Sequence, residues 1–232
     1  VCIKQVPDTT EVKLDPKTGR LIRDGVPSII NPDDKNALEE ALRIKDENPE
    51  TTVTVVSMGP PQADVAMREA LAMGADEAIL ISGREFGGSD TWATSYIIAT
   101  AIKKIPDYDI IFCGRQAIDG DTAQVGPQIA EQLNIPQITY VQKLDIEGDK
   151  VIVQRQLEDG YTVVEAKMPV LLTAIKELNT PRYMTPKGIF EAYNKTVQVW
   201  GFNDVPVDAE KIGLKGSPTN VNRTFSPEAK GK

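Results

Sequence analysis

The strongest constraint on what this chain can fold into is an alternation running through its first 138 residues. Short, near-continuous apolar runs are separated by stretches with helical spacing. Residues 1–6, 52–57, 77–81 and 108–113 read as strands. A helix starts at Asn31-Pro32-Asp33-Asp34, where Asn31 or Asp33 can cap, and continues through Leu38, Ala41 and Leu42. A second helix covers residues 62–73 and is closed by Gly74, and a third runs over 90–103 with Asp90 as its cap. Strands that alternate with helices of this length require crossover connections and a parallel sheet. Continuous apolar strands fit a sheet covered on both faces.

After Ile138 the pattern changes. Residues 141–146, 151–157 and 161–167 read as antiparallel strands, with Gly148-Asp149 and Asp159-Gly160 as hairpin turns. Residues 169–174 form a further apolar strand suited to the main sheet. A polar loop, a short helix over 188–193 and a strand-like run over 196–200 follow. Residues 7–30 carry hairpin signals, Val12-Lys13-Leu14 and Arg20-Leu21-Ile22 around Asp15-Pro16 and Thr18-Gly19. From Phe202 onward there are prolines at 206, 218 and 227 and few apolar residues, which predicts a tail or an arm lying on a partner. The expected organisation is an α/β nucleotide-binding domain over 1–200, with antiparallel hairpins at about 140–167, and an extended arm over 201–232. The chain begins inside a strand and stops in a polar stretch, so further residues are expected beyond both ends.

Composition narrows the chemistry. Histidine is absent, which removes Ser–His and Cys–His nucleophile pairs and His-ligated metals. Cys2 and Cys113 are the only cysteines, too few for an iron–sulfur cluster and no sign of a disulfide framework. Cys113 reads as a small buried hydrophobe. A net charge of −8 argues against a nucleic-acid binder. No apolar run approaches a membrane span, and a reducing cytoplasm is the simplest compartment. No catalytic residue and no metal ligand set is expected. Redox chemistry here would need a borrowed cofactor.

The densest chemistry lies in residues 114–127, between the strand at 108–113 and a helix read over 128–133. The loop holds Gly114, Arg115, Gln116, Ala117, Ile118, Asp119, Gly120, Asp121, Thr122, Ala123, Gln124 and Val125. Such a turn can set backbone amides and a helix N-terminus against an anion, here near Gln124, Val125 and Gly126. An ordinary strand-to-helix turn, with both aspartates as caps, explains the same residues equally well. Neither glycine fingerprint of the common nucleotide folds is present. Asn31-Pro32-Asp33-Asp34 alone is a capping motif. With Met58-Gly59-Pro60 and the 114–127 loop it points to the strands' carboxyl edge, where open α/β sheets bind ligands. Arg182-Tyr183, in a proline-flanked polar loop, is expected to be exposed, either as plain surface or as a contact.

Collinear motifs add a resemblance. Lys4-Gln5-Val6-Pro7-Asp8-Thr9, Asn31-Pro32-Asp33-Asp34, Ser57-Met58-Gly59-Pro60, Ala70 to Asp76, Gly114 to Gly126 and Leu178-Asn179-Thr180-Pro181-Arg182-Tyr183 occur in order. In them the chain resembles the β subunit of electron-transfer flavoprotein, over residues 1 to about 200. The resemblance implies an adenine-nucleotide α-hydrolase-like, Rossmann-like fold and a heterodimer with an α subunit that carries its own FAD. It implies a nucleotide lined by Cys2, Asn31, Pro32, Asp33, Asp34, Met58 and residues 114–125. In ordinary members that nucleotide is AMP. In a bifurcating branch it is a second FAD that takes hydride from NADH. One electron then goes through the α-subunit flavin to an acyl-CoA-type or other flavin dehydrogenase, and one to ferredoxin or flavodoxin. The loop from Asp119 to Pro127 is similar to that of the bifurcating branch, because the ordinary branch has a bulkier acidic residue at Gly120 and polar residues at Ala123 and Val125. Residues 174–183 resemble a recognition loop for the dehydrogenase, with Ile175 as its apolar anchor and Leu178, Arg182 and Tyr183 beside it. An ordinary electron carrier with AMP, or a nucleotide-binding module that moves no electrons, stays open as an alternative.

Overall fold

The computed structural model describes residues 1–8 and 27–222. The expected hairpin around Asp15-Pro16 lies outside them.

The expected parallel sheet is present. Strands β3 (Thr54–Met58), β4 (Glu77–Ile81) and β10 (Val197–Trp200) pair in the order β10-β4-β3, all parallel. Strands β5 (Ile110–Gly114), β6 (Gln137–Glu147), β7 (Lys150–Leu157), β8 (Gly160–Lys167) and β9 (Val170–Ala174) pair in the order β5-β9-β6-β7-β8. The chain start joins the two groups. Val56 N–H donates to Val1 O (2.8 Å), Ile3 N–H to Val56 O (2.9 Å), and Cys2 N–H to Phe112 O (2.8 Å). Residues 1–3 therefore lie between β3 and β5, with Cys2 opposite Val56 in a parallel bridge. The first strand is shorter than its apolar run predicts. β1 (Gln5–Pro7) leaves the sheet and pairs antiparallel with β2 (Ser28–Ile30).

Helices α1 (Pro32–Glu47), α2 (Asp64–Met73), α3 (Thr91–Ile102), α4 (Val125–Leu133) and α5 (Pro186–Asn194) cover the sheet. Val55, Phe112 and Leu172 pack in one cluster with Leu38 and Leu42 of α1 and Met67 and Leu71 of α2. Their neighbours Val56, Ile111 and Leu171 pack in a second cluster with Ile97 of α3 and Ile129 of α4. This period-two alternation is what a strand buried on both faces requires. Asp90 caps α3 as read, its carboxylate accepting from Ala93 N–H at 3.0 Å. β6 runs parallel to β9 at first and then forms the hairpins with β7 and β8. Gly148, at φ 62°, sits in the first hairpin turn.

The segment after β10 is not a free arm over its described part. Val205 and Ile212 are buried in the second cluster beside Phe86 and Ile97. Ser217 is buried and accepts from Asp90 N–H, while Thr219 donates to the Asp90 carboxylate. A composition poor in apolar residues still anchors when the few it has reach an existing core. The residues beyond 222 lie outside the described ones.

Candidate functional site

The site loop springs from β5 and returns to the chain at α4. α4 begins at Val125, three residues before its apolar pattern does, because Gly126 and Pro127 are tolerated in a first helical turn. The N–H groups of this first turn accordingly face the loop's mouth, and Gln124 precedes them without a side-chain cap. Asp121 and Ala123 have positive φ, 54° and 52°. Two strained non-glycine residues so close together are held by their surroundings, and such strain collects at functional sites. Ala117 O accepts from both Gly120 N–H and Asp121 N–H and folds the loop tip. Gln116 also bonds the Asp121 carboxylate. Ile118 is half-exposed, and Thr122 is exposed.

The loop is clamped from below by the start of α1. Asn31 stands at the cap position of α1, with Pro32 in the first turn, yet its side chain makes no cap bond. It is fully buried, donates to Gln116 O (2.8 Å) and accepts from Ile118 N–H (3.0 Å). The capping reading of Asn31 is therefore corrected. Pro32, pre-set for the helix, lets α1 start without the cap, and the amide serves the loop. Asp34 is the second clamp. Its carboxylate accepts from Gly114 N–H (3.0 Å) and from Lys4 N–H (2.7 Å). Burial pushes its carboxyl up to about 7, although those N–H bonds pull the other way. Gly114 is required at this spot, since a Cβ there would stand 2.2 Å from Asp34 Oδ1.

The loop's charges are internally paired. Lys4 Nζ meets Asp119 Oδ1 at 2.6 Å. Arg115 Nε lies 3.4 Å from Asp33 Oδ2, an ion pair without hydrogen-bond alignment, so both atoms are buried and unbonded among the described residues. Burial raises the Asp33 carboxyl, and Arg115 opposes the rise. Met58 and Cys2 pack half-buried on the second core cluster, at the neighbouring strands. Asn31, Asp33, Asp34 and residues 114–125 thus come together at one edge of the sheet.

Some residues of this region are not legible as site residues from sequence. Lys4 earns its place only through the distant Asp119. Thr91 Oγ1 meets Gln124 Oε1 at 3.1 Å, across the mouth of α4. Tyr140 sits at a bulge in β6 with φ 57°, and the guanidinium carbons of Arg115 and Arg155 lie 5.8 and 5.6 Å from its ring centre. No local motif announces a bulge of this kind.

The second predicted region, residues 174–183, divides between the body of the domain and its surface. Ile175 and Leu178 are buried, 2% and 8% exposed, and join the body of the domain. Ile175 is not a protruding anchor here, because it directly continues buried β9. Arg182 is only half-exposed, not free. It grips Glu39 of α1 through Nε (2.9 Å) and Nη2 (3.1 Å) and also meets Asp46 at 2.7 Å. Tyr183, at 95%, projects fully.

Among the described residues there is no cluster of three metal-ligating side chains, and no helix is long and apolar enough to cross a membrane. The chain is similar to known proteins along nearly all its length. A model of the electron transfer flavoprotein domain matches residues 18–205. The electron transfer flavoprotein subunit beta of Thermoanaerobacterium thermosaccharolyticum is 67% identical over 228 residues, covering 98% of this chain and 87% of that protein. The caffeyl-CoA reductase-Etf complex subunit CarD of Acetobacterium woodii is 61% identical over 231 residues, covering 100% and 88%. The acryloyl-CoA reductase electron transfer subunit gamma of Anaerotignum propionicum is 54% identical over 239 residues, covering 100% and 89%. A doubly covered parallel sheet, a clamped loop at its carboxyl edge and these matches agree: the chain belongs to the electron transfer flavoprotein family, among its β subunits.

Proposed function

We propose that this chain is the β subunit of a bifurcating electron-transfer flavoprotein and that its loop holds an FAD. The observation that carries this reading is the loop geometry. Asn31 and Asp34 fix the loop in front of the open first turn of α4, which suits a pyrophosphate held by the amides of Gln124, Val125 and Gly126. A Cβ on Gly120 would meet nothing within 4 Å, so the fold itself does not require glycine at the loop tip. Arg115, paired with Asp33, sets a positive charge at the root of the loop, and half-exposed Ile118 supplies apolar surface. Asp119, held by Lys4, and Asp121, held by Gln116, offer acceptors for ribose hydroxyls. When bound, the flavin supplies hydride acceptance from NADH and one-electron transfer. The chain's residues bind and orient it, and a chain without histidine needs no acid–base catalyst of its own for that task.

The partners follow from the family and from the relatives' names. An α subunit with its own FAD takes one electron toward an acyl-CoA-type dehydrogenase, in line with relatives named as caffeyl-CoA and acryloyl-CoA reductase subunits. Ferredoxin or flavodoxin takes the other. Projecting Tyr183 is the contact for the dehydrogenase, and Arg182 holds its loop in place.

The test is nucleotide analysis of the chain purified with its α subunit, followed by anaerobic NADH addition. Two FAD per heterodimer and rapid bleaching of flavin absorbance are expected. One FAD with one AMP, and no response to NADH, would reduce the chain to the partner of an ordinary carrier. A complex without flavin would leave only a nucleotide-binding module. The variant Gly120→Glu is expected to keep the fold, within about 0.5 kcal/mol, while shifting bound nucleotide from FAD toward AMP.

A further inference from the structure

The two cysteines stand 111 positions apart in sequence and side by side in the sheet. Cys2 N–H donates to Phe112 O, which sets Cys2 across from Cys113 on the neighbouring strand. Both side chains lie on the same face. Cys113 is buried in the second core cluster, and Cys2 packs against that cluster from its half-buried position. Each thiol shifts the ionisation of the other. Neighbouring strands run about 4.8 Å apart, inside the Cα window of about 4.4–6.8 Å that a disulfide needs.

We propose that Cys2 and Cys113 form a thiol-oxidation site that closes to an intrachain disulfide when the protein meets a small-molecule disulfide. The roles of the two sulfurs differ. The Cys2 thiol is drawn below its ordinary value by Cys113, while the Cys113 thiol is pushed up by Cys2 and by burial. Cys2, only half-buried, is the sulfur a reagent reaches and so the attacking group, and buried Cys113 is the resolving one. The Cys2 thiolate attacks one sulfur of the reagent and expels the other as a thiolate, leaving a mixed disulfide on Cys2. Cys113 gives its proton to the expelled thiolate and attacks Cys2 Sγ, releasing the second thiol. The protein loses two electrons and two protons, and the reagent disulfide becomes two thiols.

The position gives the bond a consequence. Cys113 immediately precedes Gly114, and Cys2 lies two residues before Lys4. Both following N–H groups, of Gly114 and Lys4, are gathered by the Asp34 carboxylate. The disulfide would add a covalent tie directly beneath that clamp, between the chain's first strand and the root of the loop.

The experiment uses the full-length chain in complex with its α subunit, treated with oxidised glutathione and then mapped by non-reducing peptide mass spectrometry. The expected result is loss of both free thiols, a Cys2 peptide linked to the Cys113 peptide, and full recovery of both thiols with dithiothreitol. Cys113→Ser is expected to stop at a glutathione adduct on Cys2, and Cys2→Ser to leave Cys113 unreacted. Three results would overturn the proposal: both thiols untouched, two separate adducts, or a bond between chains. Mapping of the wild-type complex decides the matter even where a serine variant fails to fold.

Discussion

Asp34 concentrates the energetics of the site in one carboxylate. It has two competing demands: burial favours the neutral acid, and two backbone N–H donors favour the anion. Burial wins, leaving a carboxyl that titrates near 7 when folded and near 3.8 when free. A folded-state value above the unfolded one means the folded protein binds the extra proton between them. Stability from this group is therefore greatest below 3.8 and falls as pH rises through about 7. Comparing denaturant unfolding of the wild type with Asp34→Asn across that window isolates the effect, since the other carboxyls are common to both. The variant should show a flatter decline. It should also be weaker by about 1–3 kcal/mol, because Lys4 and Gly114 donate to different carboxylate oxygens and the one replaced by NH2 cannot accept, leaving one N–H unpaired. The glycines of the loop sort by space. Gly114→Ala drives a Cβ into Asp34 and should cost both stability and nucleotide retention, read by thermal melting and flavin release. Gly120 has open space around it, so its substitutions should leave the fold intact.

At the scale of elements, α1 is the common support for both candidate segments. Its first turn holds the site loop through Asn31 and Asp34, and its middle holds the loop after β9. Asn36 donates to Asn179 O (2.8 Å), Asn179 donates to Glu40 (2.8 Å), and Arg182 grips buried Glu39. The prediction is a separation of effects between neighbours. Arg182→Ala leaves Glu39 without its charged partner and should cost about 1–3 kcal/mol of stability. Tyr183→Ala should leave stability within about 0.5 kcal/mol and, if the loop docks a dehydrogenase, slow electron transfer to it in a reconstituted assay. Equal loss of stability in both variants would show that the loop is structural throughout. The helix spans, the Asp90 cap and the hairpins at Gly148-Asp149 were legible because each rests on interactions within a few residues. The Arg182 latch was not, because Glu39 lies 143 residues away and a charged pair has no periodicity to read.

For the whole molecule, the alternation of strand and helix was enough to specify a parallel sheet with covered faces, since local propensity and burial pattern both point that way. The histidine-free composition, the glycine-bearing loop and the collinear motifs were equally plain in the sequence, and with them the family and the edge of the sheet where the candidate loop gathers. Tertiary structure alone decided the rest. It turned Asn31 from a helix cap into a loop clamp and placed Asp34 where two distant N–H groups converge. It buried Ile175, and it laid residues 201–219 back on the chain's own second core through Val205 and Ile212. It also brought Cys2 beside Cys113. The physical reason is common to all of these. Sequence patterns record which residues are apolar and what their neighbours favour, whereas hydrogen-bond and ion-pair partners depend on which strands lie side by side, and strand order is settled only when the whole sheet closes over its core.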